Sequence, residues 1–304
     1  MNNLPDTETG ASSTPAAEVH VDDAQVRALL KLQMPDLATL PIELVETGWD
    51  NYTFRLGTEY AVRLPRRAIG ATLIEREQRW LPELASQLPL PTPVPIYAGT
   101  ADAGYPWKWS VLPWLAGEAA DLSEPDADQA ELFAAFLRAL HRPTPKDAPP
   151  NPVRGVPLAT RAEGVEERLA RLETWTDLIT DKIRPIWRDA LDAPVASKSV
   201  WLHGDLHARN VLVKDGSISG VIDWGDMTAG DVATDLAAIW MLLGDKNARS
   251  RAAAAYGNAN DATWARAKGW AVLFGAVLLD TGLTDTPRHA VMGERTLRRL
   301  VEDA

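Results

Sequence analysis

The chain has 304 residues, 46% of them hydrophobic, which is enough for one large domain or for two lobes sharing a cleft. It contains no cysteine, so disulfides, thiolate catalysis and cysteine-based metal sites are excluded. A formal net charge of −11 argues against general nucleic-acid binding, which needs a basic face. The longest apolar candidate, Trp270 to Leu279, is too short to span a bilayer, and no basic region followed by an apolar stretch opens the chain. A cytoplasmic setting, with no membrane and no nucleic-acid partner, is the expectation.

Residues 1–19 are polar, with Gly, Ser, Thr and Pro and few apolar side chains, the composition of a disordered tail. Asp22-Asp23 predicts the cap of a short helix carrying Val26, Leu29, Leu30 and Leu32 on one face. The pattern then changes to short strand-like runs at 42–45, 52–56 and 60–64, with Gly48 and Gly57 in the turns. Residues 72–88 read as helix, after which Pro91, Pro93 and Pro95 introduce a strand pair ending in the run 107–115. Further helices are expected over 125–141, 161–179, 232–243, 261–280 and 287–302. A strand-rich first third followed by a helix-rich remainder implies an α+β protein. A small sheet lobe, residues 20–113, would stack on a larger helical lobe, residues 114–304.

The helical half is interrupted once, over Trp201 to Trp224. Val211 to Val213 and Ile218 to Ile222 are short aliphatic runs flanking Asp215-Gly216, a strong two-residue hairpin signal. Pairing Lys214 with Ser217 would set Asn210 opposite Val221, with Asp223 a diagonal neighbour about 7 Å away. An amide oxygen and a carboxylate at that separation can ligate one small cluster of divalent ions. Asp205 precedes them in a loop entered from the strand 200–202. A loop carboxylate beside a metal pair suits a base that accepts a hydroxyl proton while Mg²⁺ neutralises a triphosphate. Each residue alone also reads as an ordinary turn or strand-end polar group. The convergence of three oxygen-bearing side chains selects the chemical reading.

The H-G-D-x-x-x-x-N run from His203 to Asn210, followed by V-I-D-W at 221–224, resembles the aminoglycoside phosphotransferase family. The similarity continues through G-D-V-A-T-D-L-A, Gly230 to Ala237. This resemblance implies a protein-kinase-like two-lobe fold: a small antiparallel N-lobe sheet with one main helix, and a larger, mostly helical C-lobe. It makes Asp205 the base, Asn210 and Asp223 the ligands of two Mg²⁺ ions, and ATP or GTP the phosphoryl donor.

In the N-lobe the same template needs a strand cation, a helix carboxylate and a loop over the phosphates. Arg63 in Ala61-Val62-Arg63 takes the place of the cation, as an arginine rather than a lysine. Its expected partner is Glu77 rather than Glu75. The loop is Gly48 to Tyr52, including Asn51, with a single glycine. Pro113 offers a carbonyl and Leu115 an amide for adenine at the hinge.

His203 and Asp235 take structural roles around the catalytic loop, Asp235 as a brace. His207 stands where protein kinases carry a lysine contacting the transferred phosphoryl group; a loop contact is the alternative. Trp224, Asp226 and Asp231 complete the candidate contacts to phosphate or substrate. The acceptor implied is a small-molecule alcohol, an aminoglycoside-type or other antibiotic, whose ammonium groups acidic side chains of the C-lobe would bind. A metabolic kinase of a choline-, methylthio-sugar- or homoserine-like compound fits the same motifs. A non-catalytic nucleotide-binding pseudokinase is the remaining alternative.

Overall fold

A computed structural model of the chain describes residues 15–179, 181–196 and 198–304. Helix α1 (Asp23–Gln33) begins at Asp22, whose carboxylate accepts the Gln25 N–H at 2.8 Å. Val26, Leu29 and Leu30 are buried, whereas Leu32 is exposed. At 100° per residue Leu32 falls about a third of a turn off that face, which corrects the expected stripe. The N-lobe continues through β1 (Ile42–Thr47), β2 (Asn51–Leu56), β3 (Tyr60–Pro65), α2 (Ala68–Ala85), β4 (Tyr97–Gly99) and β5 (Trp109–Pro113). Its antiparallel sheet runs β1-β2-β3-β5-β4, so the strand carrying Arg63 is central. Phe54, Val62, Trp109 and Val111 close on α1 to form its core.

Residues 1–14 of the expected tail lie outside the described residues. Residues 18 and 19, assigned to the same tail, are docked: the Glu18 and Val19 amides donate to the Arg66 carbonyl at 2.8 and 3.2 Å. The Glu18 carboxylate receives the Ala68 N–H at the start of α2.

The C-lobe holds β6 (Glu118–Ala119), α3 (Ala130–Leu140), α4 (Ala162–Leu172), α5 (Ile183–Asp192) and β7 (Val200–Leu202). It continues with β8 (Val211–Lys214), β9 (Ser217–Val221), β10 (Thr228–Gly230), α6 (Ala233–Leu236), α7 (Ala238–Leu242), α8 (Lys246–Tyr256), α9 (Asp261–Thr284) and α10 (Pro287–Glu302). Helix α9 is apolar on nearly every face and is packed by α4, α5, α6, α7 and α10. Glycine makes the α9–α10 crossing close: a Cβ at Gly293 would lie 2.4 Å from the Leu279 amide nitrogen.

Helices α5 and α8 were not expected, and the run predicted over 232–243 is broken into α6 and α7. The strands β8 and β9 turn at Asp215 and Gly216, both left-handed with φ of 51° and 75°, as a two-residue hairpin requires. The register differs from the expected one. A bulge sets Leu212 opposite Gly220 and Val211 opposite Val221. Asn210 therefore faces Ile222, whose N–H donates to the Asn210 carbonyl at 2.8 Å. The extra residue, Ser219, brings Asp223 one position closer to Asn210 than regular pairing would.

Candidate active site

Strand β7 pairs with β10 and delivers His203 and Gly204 to a buried carboxylate. Asp235 on α6 accepts the His203 N–H at 2.7 Å and the Gly204 N–H at 2.9 Å, and His141 Nε2 lies 3.4 Å from the same side chain. Gly204 has φ of 85°, and a Cβ there would meet the Asp226 carbonyl at 2.5 Å, so only glycine allows the approach. His203 Nε2 lies 3.0 Å from the Ile222 carbonyl, and His203 Nδ1 lies 3.3 Å from the Asp205 amide nitrogen. The imidazole thereby ties the loop to the segment carrying Asp223.

Asp205 is held from two sides. Its Oδ1 accepts from Arg154 Nη2 at 3.2 Å, and its Oδ2 lies 3.3 Å from His207 Nε2 and 3.4 Å from Asn210 Nδ2. Burial by itself would raise this carboxyl, but His207, Arg154 and His203 outweigh it and hold Asp205 well below the usual carboxylate range. His207 shows the reciprocal effect: burial opposes its charge, yet the Asp205 carboxylate raises its pKa above the ordinary histidine value.

Asn210 Nδ2 also donates to the Asp205 carbonyl at 2.8 Å, which leaves the amide oxygen as its outward group. Asp223, at φ of 59°, has a half-exposed side chain whose Oδ1 accepts from Arg63 Nη2 at 2.8 Å. The other arm of the Arg63 guanidinium binds both oxygens of Glu77 at 2.8 and 3.0 Å. Glu75 instead meets Lys108 at the surface. Burial is the largest influence on Arg63 and would lower it, but the two carboxylates reverse the sign. Burial raises the Glu77 carboxyl, Arg63 opposes the rise, and Asp223 adds to it. One carboxylate and one amide oxygen are few ligands for a cation-binding cage. They suit Mg²⁺, which takes one or two protein oxygens and completes its shell with phosphates and water.

The remaining predicted residues divide. Asn51 is paired with Pro65 in the hairpin between β2 and β3, and its buried Oδ1 has no hydrogen-bond partner among the described residues. The same loop holds Asp50, which sequence reasoning missed. Burial raises its carboxyl, Arg67 opposes that, and Asp223 adds to the rise. Pro113 ends β5 opposite Tyr60, and Leu115 lies over Gly220, where a Cβ would meet its Cδ1 at 2.7 Å.

Two candidate contacts, Trp224 and Asp231, lie differently from expectation. Trp224 is fully buried against Phe136 and His203, with its Nε1–H donated to the Val221 carbonyl, and does not line the site. Asp231 is buried in a two-point ion pair with Arg266 on α9, at 2.6 and 3.2 Å, which commits both its oxygens. Asp226 accepts from Asn151 Nδ2 at 2.8 Å, and burial together with Asp205 raises its carboxyl. Arg154 and Asn151 were not expected. Both lie in a proline-rich loop about fifty residues before the motif, with no spacing that connects them to it.

An antiparallel five-stranded lobe joined to a helical lobe, with a carboxylate loop and a cation–carboxylate pair facing each other, defines the protein-kinase-like phosphotransferase architecture. The chain belongs to the phosphotransferase enzyme family, whose model matches residues 41–270. An aminoglycoside 3'-phosphotransferase of Escherichia coli is 28% identical over 173 residues, which is 55% of this chain and 61% of that protein. The chain thus spans less than two thirds of that relative's length. The fold is shared with the GDP complex of wild-type aminoglycoside 2'-phosphotransferase-IIIa, at 18% identity and a TM-score of 0.64 over 93% of this chain and 98% of that one. It is shared also with macrolide 2'-phosphotransferase type I, at 23% identity and a TM-score of 0.55 over 93% and 99%.

Proposed function

We propose that the protein transfers the γ-phosphoryl group of ATP or GTP to a hydroxyl of a small molecule, an aminoglycoside-type or other antibiotic. The observation that carries this reading is the meeting of Asp205, Asn210 and Asp223 from the C-lobe with the Arg63–Glu77 pair from the N-lobe. Arg63 is oriented by Glu77 toward the α- and β-phosphates, and the Gly48–Tyr52 loop covers them. Asn210 and Asp223 hold Mg²⁺, which when bound neutralises the phosphate charge. Asp205 orients the acceptor hydroxyl and takes its proton. Positioning and charge neutralisation supply most of the rate. Structures that share the fold are complexes with GDP, ADP, kanamycin and gentamicin, which supports the donor and acceptor classes.

The test is nucleoside diphosphate release with Mg-ATP and Mg-GTP across aminoglycosides, macrolides and small metabolite alcohols. Stimulation by one class identifies the acceptor. Asp205→Ala is expected to lower turnover by about 10²–10⁴-fold with nucleotide affinity nearly intact. Asp223→Ala is expected to lose Mg²⁺-dependent nucleotide binding. Wild-type turnover in the first variant, or unchanged Mg-nucleotide affinity in the second, removes that residue from its role.

A further inference from the structure

We propose that Arg154 is a positioning residue for phosphoryl transfer: it fixes the Oδ1 oxygen of Asp205 on the side from which the acceptor hydroxyl arrives. The inference rests on the phosphotransferase reading above and deepens it. Asp205 has two oxygens and they are treated differently. Oδ2 faces His207 and Asn210, on the metal-ligand side. Oδ1 faces Arg154, whose guanidinium lies 4.9 Å over the ring of Phe274 on α9, deep in the C-lobe. The oxygen turned away from Asn210 is the one placed to receive the acceptor proton, and among the described residues Arg154 is its hydrogen-bond donor.

The arginine is itself held by a chain of buried contacts. Asn151 Oδ1 accepts the N–H groups of Val153 and Arg154 at 3.0 and 3.1 Å, which closes the backbone around the base of the arginine. Asn151 Nδ2 donates to Asp226 Oδ1 at 2.8 Å, so the loop is anchored to the segment just past Asp223. Pro149 fastens the other end: its carbonyl accepts from Thr228 Oγ1 at 3.0 Å and from the Ala229 N–H at 3.4 Å, both on β10. Gly155 follows with φ of 68°, and its Cα lies 2.5 Å from where a Cβ at Gly230 would be. A surface arginine neutralising a carboxylate needs none of this. An arginine required at one place beside a reacting oxygen needs all of it, because small displacements of a catalytic group are costly in rate.

The experiment uses the full chain and measures steady-state diphosphate release from Mg-ATP and Mg-GTP with water as acceptor. Water gives its proton to Asp205 as its oxygen bonds to the γ-phosphorus and the bond to the diphosphate breaks. Arg154→Gln is expected to lower kcat by about 10–100-fold, with KM for the nucleotide within about twofold of wild type. Arg154→Lys restores part of that loss. Asn151→Ala, which does not touch Asp205, lowers kcat in the same direction, and melting temperatures identify any variant whose loss is one of folding. Unchanged kcat in Arg154→Gln while Asp205→Asn is inactive overturns this inference and leaves the phosphotransferase reading standing. A rise in KM with kcat intact overturns it too, since Arg154 would then bind nucleotide. Absent turnover in the wild type, or full turnover in Asp205→Asn, overturns the reading beneath it.

Discussion

Arg63 joins the two lobes through one side chain. Its guanidinium is buried and faces Glu77 and Asp223, and Glu77 is buried more completely still. Removing one partner of such a pair leaves an uncompensated charge in the interior. Arg63→Met is therefore expected to cost about 3–5 kcal/mol of stability, measured by urea unfolding, before any effect on nucleotide is counted. The double variant Arg63→Met/Glu77→Leu is expected to recover most of that loss, because both charges are gone. If the double variant is as unstable as the single one, the cost came from lost packing of the arginine stem rather than from the stranded carboxylate. A lysine at position 63 would carry the charge but not the fork, and could not serve Glu77 and Asp223 with parallel bonds.

At the scale of the element, the hairpin β8–β9 decides where Asn210 and Asp223 stand. Its turn was legible because Asp-Gly is one of the few pairs that accept two left-handed residues in succession. Gly216 has a second constraint: a Cβ there would lie 2.1 Å from Asp126 Oδ2. Gly216→Ala is expected to lower stability by about 1–2 kcal/mol, from the left-handed backbone and the displaced carboxylate. Its kcat should hold, since the turn is remote from Asp205. A thermal melt unchanged from wild type would show that the turn relaxes to accept a side chain.

The bulge at Ser219 was not legible in the sequence. Spacing arguments assume a regular ladder, and the one signal against it is Gly220 inside the strand, a residue that often marks a bulge. The missed helices have related causes. Helix α5 has a buried stripe of Ile183, Trp187 and Ala190, but Pro185 in its first turn among charged residues obscures the start, and α8, mostly alanine and arginine, shows no strong apolar stripe. Trp224 was misjudged because adjacency in sequence to Asp223 was read as adjacency in space. Asp223 has a left-handed φ, and the chain reverses there, sending the aromatic ring inward. Arg154 reaches Asp205, and Asn151 reaches Asp226, only through tertiary packing of a loop that carries no motif.

The whole molecule has a further inter-lobe contact at Arg209. Arg209 binds Glu46 on β1 with one arm and lies 2.8 Å from His289 Nε2 on α10 with the other. A guanidinium can donate to that nitrogen only if the imidazole is neutral there. The electrostatics agree: burial, then Arg209, His207 and Arg288, push His289 from 6.5 down to about 4, against a smaller opposing effect of Asp121. Between those two values the unfolded chain binds a proton that the folded chain refuses. Stability from this group is therefore complete above pH 6.5 and is lost as the pH falls through that window toward about 4. His289→Gln removes the titration while keeping an oxygen that can accept from Arg209. Melting temperature followed from pH 7 to pH 4 is expected to fall less steeply in this variant than in the wild type. Parallel curves would mean that His289 titrates alike in the folded and unfolded chains, so that the Glu46–Arg209–His289 bridge carries no acid sensitivity. A shallower curve assigns part of the acid response to the join between β1, which leads into the Gly48–Tyr52 loop, and the helix that closes the C-lobe.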